Sequence, residues 1–183
     1  MLQFETHTLE SAPEASRTLL HGLKEQAGFV PNLAATMAGS PTLLEAFLGL
    51  RSVAARSSLD PVAREVIAIA VVTETGCSYC VAAHSTFALK SGAAAPIVEA
   101  VRSGATIADP RLDALARFAR AIVRREPDVR DRAQGLLQAG LTADQVLETL
   151  VAIAVPMLAG SVFQLAPVTL DPAFTSQAWP RPV

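Results

Sequence analysis

The stretch Asp60-Pro-Val-Ala-Arg-Glu65-Val-Ile-Ala-Ile-Ala-Val-Val72-Thr-Glu-Thr-Gly76-Cys77-Ser-Tyr-Cys80-Val-Ala-Ala-His84 decides the fold. Asp60 followed by Pro61 is a helix start: the aspartate side chain caps unpaired N–H groups, and proline fits the first helical position. The helix it opens runs through the apolar positions 66–72 until Gly76, where glycine can take a left-handed conformation. A second helix starts near Cys77 and stops at Ser91-Gly92. Together they predict a helical hairpin over about 60–92.

Outward from this hairpin, Gly, Pro, Ser and Asp cut the chain into further helical pieces. They fall at 13–27, briefly after Pro31-Asn32, then at 42–55, 95–102, 110–125, 129–138 and 142–159. Aromatic residues are only 5%, and no sustained alternation of apolar and polar residues supports strands. The expectation is one all-α domain over 1–183 with about seven or eight helices and an irregular, Pro-containing tail over about 167–183. A weak internal similarity links positions 67–72 to 151–156 and suggests a duplicated helix pair, with no second copy of the reactive residues.

Composition narrows the function. Hydrophobic residues make up 51% and charged residues 17%, the balance of a chain that folds. Fifteen Lys and Arg against seventeen Asp and Glu leave no positive field for a phosphate backbone, so nucleic acid is not an expected partner. The apolar stretches 66–72 and 150–159 are shorter than the ~20 residues of a membrane-spanning helix and read as core. Glu5 stands where a signal peptide would be cationic, which points to the cytoplasm. Two cysteines are too few for a disulfide scaffold; in a reducing compartment, two so close are catalytic or metal-binding more often than structural.

Those cysteines, with Glu65 and His84, form the informative constellation. His84 lies four residues after Cys80 and seven after Cys77, so on one helix the three share a face. A position in the first turn stabilises a thiolate, because free N–H groups and the positive end of the helix dipole are nearby. If the hairpin turns near Thr75, Glu65 and His84 are each about 15 Å from the turn at ~1.5 Å per residue, and so come level. A carboxylate beside an imidazole fixes its tautomer and raises its basicity, and the imidazole can take a proton from the cysteine one turn away. Glu65, His84 and Cys80 thus read as a proton relay. Zinc is the competing reading, but a structural zinc site normally takes four protein ligands, and no second Cys pair or His cluster supplies the fourth. His7 and His21 read as surface or structural residues, Tyr79 as packing or pocket lining, and Glu74, Arg64 and Lys90 as solvated.

The pattern Glu65-x11-Cys77-x2-Cys80-x3-His84 resembles the active-site signature of AhpD-like alkylhydroperoxidases in the carboxymuconolactone decarboxylase family. Val30-Pro-Asn-Leu, Ser40-Pro-Thr-Leu-Leu, Leu59-Asp-Pro-Val-Ala-Arg-Glu and Cys80-Val-Ala-Ala-His-Ser look like its peroxidase-related branch, so the likeness covers about 28–175. It implies a helical homo-oligomer, trimer or hexamer, that reduces organic hydroperoxides without metal or organic cofactor. On the same likeness, Cys80 attacks, Cys77 resolves, and Glu65 and His84 relay protons. An external dithiol would reset the pair: a lipoyl-bearing protein or a thioredoxin-like donor, with a peroxiredoxin as a further possible partner. The family's best-known member carries a histidine just before the second cysteine, where this chain has Tyr79. Two other classes stay open: an acid–base lactone decarboxylase, which generally lacks the cysteine pair, and a redox-sensing oligomer without enzymatic activity.

Overall fold

Asp60 meets the expectation set by its sequence: its Oδ1 accepts the Ala63 N–H at 2.8 Å, and Pro61 opens the helix. In this computed structural model, which describes residues 3–166 and 168–180, that helix is the centre of an all-helical fold. Among the described residues there are nine α-helices and one 3-10 turn. The helices are α1 (Glu14–Ala27), α2 (Asn32–Met37), α3 (Pro41–Ala55), α4 (Pro61–Thr75), α5 (Ser78–Lys90), α6 (Ala95–Ser103), α7 (Pro110–Arg124), α8 (Val129–Gln138) and α9 (Ala143–Leu165), and the 3-10 turn spans Pro172–Gln177.

Every residue from Val66 to Val72 is buried, so α4 has no solvent face along its middle. A helix that is apolar all round belongs inside a protein. Val and Ile are mediocre helix formers, each costing at most about 0.7 kcal/mol relative to Ala. Full burial of one such side chain gives about 1.5–3 kcal/mol, so packing decides the conformation. On one side of α4 lies a core of Leu20, Met37, Leu44 and Val81 from α1, α2, α3 and α5. On the other lies a core of Val101, Leu115, Leu136 and Ile153 from α6, α7, α8 and α9.

Both ends of α4 are tied to α7. At the start, Arg111 pairs with Asp60 at 2.7 Å. At the end, Glu74 accepts from Arg124 at 2.7 and 2.8 Å and lies 3.4 Å from Arg120. Glu74 is therefore not a solvated residue, as its sequence context suggests, but the anchor of the turn before Cys77; its side chain is only 17% exposed. Gly76 closes α4 at φ 69°, a left-handed conformation that favours glycine.

Helix α9 corrects two expectations. It runs to Leu165, well past the expected end at 159, and it is long and apolar enough to cross a membrane. Thr149, Ala152, Ile153, Val155, Pro156, Ala159, Gly160 and Val162 are buried, and the helix packs on α3 and α4. The expected stop fails because Gly160 serves packing: a Cβ there would meet Thr75 Oγ1 at 2.8 Å, so the missing side chain lets α9 approach the end of α4. The internal similarity is likewise not a duplicated hairpin. Where α4 turns at Gly76 into α5, α9 continues straight through. The tail docks as well: Phe174 and Asp171 are buried, and the 3-10 turn packs on α5. Position 167 and positions 181–183 of the expected irregular tail lie outside the described residues.

Two stability measurements follow from this packing. Partial burial pushes the Asp60 carboxyl up, but the Ala63 N–H and the Arg111 guanidinium outweigh it and hold the group below its ordinary 3.8. Its contribution is therefore complete above about pH 4 and fades as pH falls through the folded value. Asp60→Ala should cost about 1 kcal/mol in urea unfolding at pH 7, with the gap to wild type narrowing in acid. Gly160→Ala, which helix propensity alone would favour by about 1 kcal/mol, should instead cost about 1–3 kcal/mol through overpacking. That cost should shrink in a Thr75→Ala background, and equal costs in both backgrounds would refute the contact.

Candidate active site

Cys77 is the N-cap of α5, its Sγ accepting the Cys80 N–H at 3.1 Å. The sulfur thus takes the role that an oxygen plays in ordinary caps, on one of the unpaired donors of the helix start. Cys77 and Cys80 are joined as a disulfide, so this is the oxidised state of the pair. The two cysteines differ in surroundings: both are buried, but Cys80 borders a solvent-open cavity of about 590 Å³ and Cys77 does not.

The α4–α5 hairpin brings Glu65 and His84 level. His84 Nδ1 donates to Glu65 Oε2 at 2.7 Å, and both side chains are about four-fifths shielded from solvent. An ionised carboxylate can only accept, so this contact places the proton on Nδ1 and leaves Nε2 as the basic nitrogen. Phe87 stands edge-on to the imidazole with ring centroids 6.0 Å apart. Cys80, His84 and Phe87 fall on one face of α5, and that face forms one wall of the cavity. Among the described residues, no three His, Cys, Asp or Glu side chains converge as a metal site.

Tyr79, between the two cysteines, serves the tail. Its hydroxyl donates to Asp171, whose carboxylate also accepts the Asn32 N–H at 3.1 Å at the start of α2. Burial foremost, and then the hydrogen bond to Asp171, push the phenol well above its ordinary value. Tyr79 therefore stays protonated as a fixed donor, and no base stands between the cysteines. Phe174 of the tail meets Phe29, Tyr79 and Phe87 edge-to-face at 5.5–5.9 Å and lines the cavity with them.

Residues 41–121, from the start of α3 into α7, match the model of the Carboxymuconolactone decarboxylase family. Over this segment the chain is similar to that family. The matched segment contains Glu65, both cysteines and His84. Solved structures extend the likeness to nearly the whole chain. An alkylhydroperoxidase AhpD core, an uncharacterized peroxidase-related protein from Ralstonia eutropha JMP134, aligns with a TM-score of 0.84 at 22% identity, over 94% of this chain and 93% of that one. A peroxidase-related protein from Silicibacter sp. TM1040 gives 0.81 at 19%, over 96% and 94%. A variant of the debrominase Bmp8 in complex with 2,3,4-tribromopyrrole gives 0.80 at 19%, over 97% and 95%. At these identities the likeness is one of fold. No curated protein sequence matches the chain.

Of the four residues singled out from spacing, Glu65, Cys80 and His84 line one cavity, and Cys77 lies buried beside it, bonded to Cys80. Three further site residues carry weaker sequence signals. Asp171-Pro172 looks like one more helix start, and nothing local reveals its bond to Tyr79, 92 positions away. Phe174 looks like an isolated aromatic in a Pro-containing tail. Arg51 interrupts an apolar helix as Glu65 does, and could have been noticed on that ground.

The Tyr79–Asp171 bond is open to test. Tyr79→Phe leaves a buried carboxylate short of one donor and should cost about 1–3 kcal/mol. Amide hydrogen exchange over 168–180 should speed up with it. Unchanged exchange there would mean that Phe174 packing alone holds the tail.

Proposed function

We propose that this chain is a cytoplasmic thiol-dependent peroxidase that reduces organic hydroperoxides through Cys80 and Cys77. The observation that carries the reading is the arrangement at the cavity: Cys80 borders it, Cys77 lies buried outside its lining, and a Glu65-oriented His84 stands one helical turn from Cys80.

In the reduced enzyme, His84 Nε2 takes the Cys80 proton, directly or through a water, while Glu65 steadies the imidazolium. The Cys80 thiolate attacks the distal peroxide oxygen; the O–O bond breaks, and the alkoxide leaves with the proton from His84 as an alcohol. Cys80 is now a sulfenic acid. The Cys77 thiol condenses with it, forming the S–S bond and releasing water. An external dithiol of the lipoyl or thioredoxin-like class then returns two electrons and two protons. No metal or organic cofactor takes part in this scheme. Leu147, Leu150 and Leu165 stand exposed along α9, which supports assembly as a homo-oligomer.

A second reading uses the same pair of electrons. Aromatic side chains line the cavity, a setting that suits a flat halogenated ring, and one structural relative is a debrominase. Reductive debromination would replace bromine by hydrogen, oxidise the two thiols to the disulfide and release bromide with a proton.

The deciding assay follows consumption of cumene hydroperoxide with dihydrolipoamide as donor, beside bromide release from 2,3,4-tribromopyrrole. Peroxide turnover that Cys80→Ser abolishes is the expected result. His84→Gln should slow turnover about 10²–10⁴-fold while disulfide formation persists. Turnover retained in Cys80→Ser would overturn the nucleophile. Bromide release without peroxide consumption would favour the second reading, and inactivity in both would leave a redox-sensing oligomer.

A further inference from the structure

A chain with a net charge of −2 gathers five of its fifteen Lys and Arg in one place. Arg102 near the end of α6, Arg117, Arg120 and Arg124 on α7, and Arg132 on α8 line a second cleft, of about 480 Å³. Glu74 and Gly76 border it too, so it lies against the turn that leads into Cys77, yet it shares no residue with the cavity beside Cys80. Its volume falls within the ~300–1,000 Å³ of small-molecule sites, and a bare phosphate ion would leave most of it empty.

The carboxylates of the cleft do not match its guanidiniums: three acids, Glu74, Asp113 and Glu126, face the five arginines. Asp113 pairs with Arg117 and Glu126 with Arg132, each at 2.7 Å. Glu74 is shared. Arg124 takes both of its oxygens, while Arg120, whose side chain is only 12% exposed, lies 3.4 Å away and donates its Nη2 to the Val101 carbonyl. Arg102 has no carboxylate within ion-pair distance among the described residues. Its Nη1 and Nη2 donate to Gln177 Oε1 and the Ala178 carbonyl at 3.0 Å, both neutral acceptors, which hold the fork in the cleft. Among the described residues, no backbone acceptor meets the N–H of Ala105 or Thr106, on the loop after α6 that forms another part of the lining.

Five positive groups against three negative ones leave a surplus of two in a concave site, where like charges focus the field on an incoming anion. A phosphate monoester carries about −1.5 to −2 and matches that surplus; a single carboxylate does not. Its oxygens also accept from several guanidinium forks at once. We infer that this cleft binds a phosphate monoester of about nucleotide size, with the phosphate among Arg102, Arg117 and Arg120. The inference is independent of the peroxidase reading, since it uses none of the residues around Cys80.

Trp179 is the only tryptophan of the chain and lines the cleft, so intrinsic tryptophan fluorescence reports on this site. The test titrates the full chain with AMP and with adenosine, which differ only in the phosphate. AMP should change the Trp179 signal saturably, with an affinity that falls as salt rises, and inorganic phosphate should compete; adenosine should not bind. Arg102→Gln should weaken AMP binding about tenfold or more, because a charge-assisted contact is lost. That variant also removes bonds to the tail. Arg117→Gln, at a side chain 57% exposed, removes none of them and should weaken AMP as well. Arg56→Gln, at an exposed arginine outside the cleft, removes the same charge and should leave the affinity unchanged. No AMP binding, equal binding of adenosine, or an equal loss in Arg56→Gln and the cleft variants would overturn the phosphate site.

Discussion

The fold depends on one constraint: α4 is buried on every side. A helix without a solvent face cannot shift or rotate without exposing Val or Ile somewhere, so its register is fixed by two cores at once. Everything catalytic hangs from that register. Glu65 sits where the helix borders the cavity, and Gly76 ends the helix where Cys77 must begin the next. The ion pairs at both ends act on this same element: Arg111 on Asp60, and Arg120 and Arg124 on Glu74. Surface ion pairs usually contribute little, but those to Glu74 are shielded and fix a turn rather than decorate a face.

The site divides labour between two chemically identical residues by geometry alone. Cys77 lies at the cap position, fully enclosed, with its sulfur against a backbone N–H; Cys80 is one turn further on, at the wall of the cavity. The imidazole needed at Cys80 is oriented from a different helix, across the hairpin. Tyr79, lying between the cysteines in sequence, is turned away from the chemistry toward Asp171 and the tail. One short helical segment therefore faces three tasks in three directions: closure of its own N-terminus, the reactive surface, and attachment of the chain's last described residues.

The hairpin and the four residues around it were legible because their information is local. Asp60-Pro61, Gly76 and the i, i+4 spacing of Cys80 and His84 each specify geometry within a few residues, and helical rise alone brings Glu65 level with His84. What could not be read was set by partners distant in sequence. Gly160 looks like a helix stop until Thr75 is seen against it, 85 positions earlier in the chain. Glu74 looks solvated until α7 supplies two arginines. Periodicity reports which face of a helix is apolar, and says nothing of which other element will cover it.

The docked tail has a consequence for the order in which the protein is made. Residues 168–180 supply Asp171 and Phe174, the partner of Tyr79 and part of the cavity lining, and they are synthesised after all nine helices. A growing chain can therefore complete its helical framework, with both cysteines in place, while the chamber beside them is still unfinished. The reactive pair acquires its finished surroundings only once residues 168–180 have followed the helices out of the ribosome.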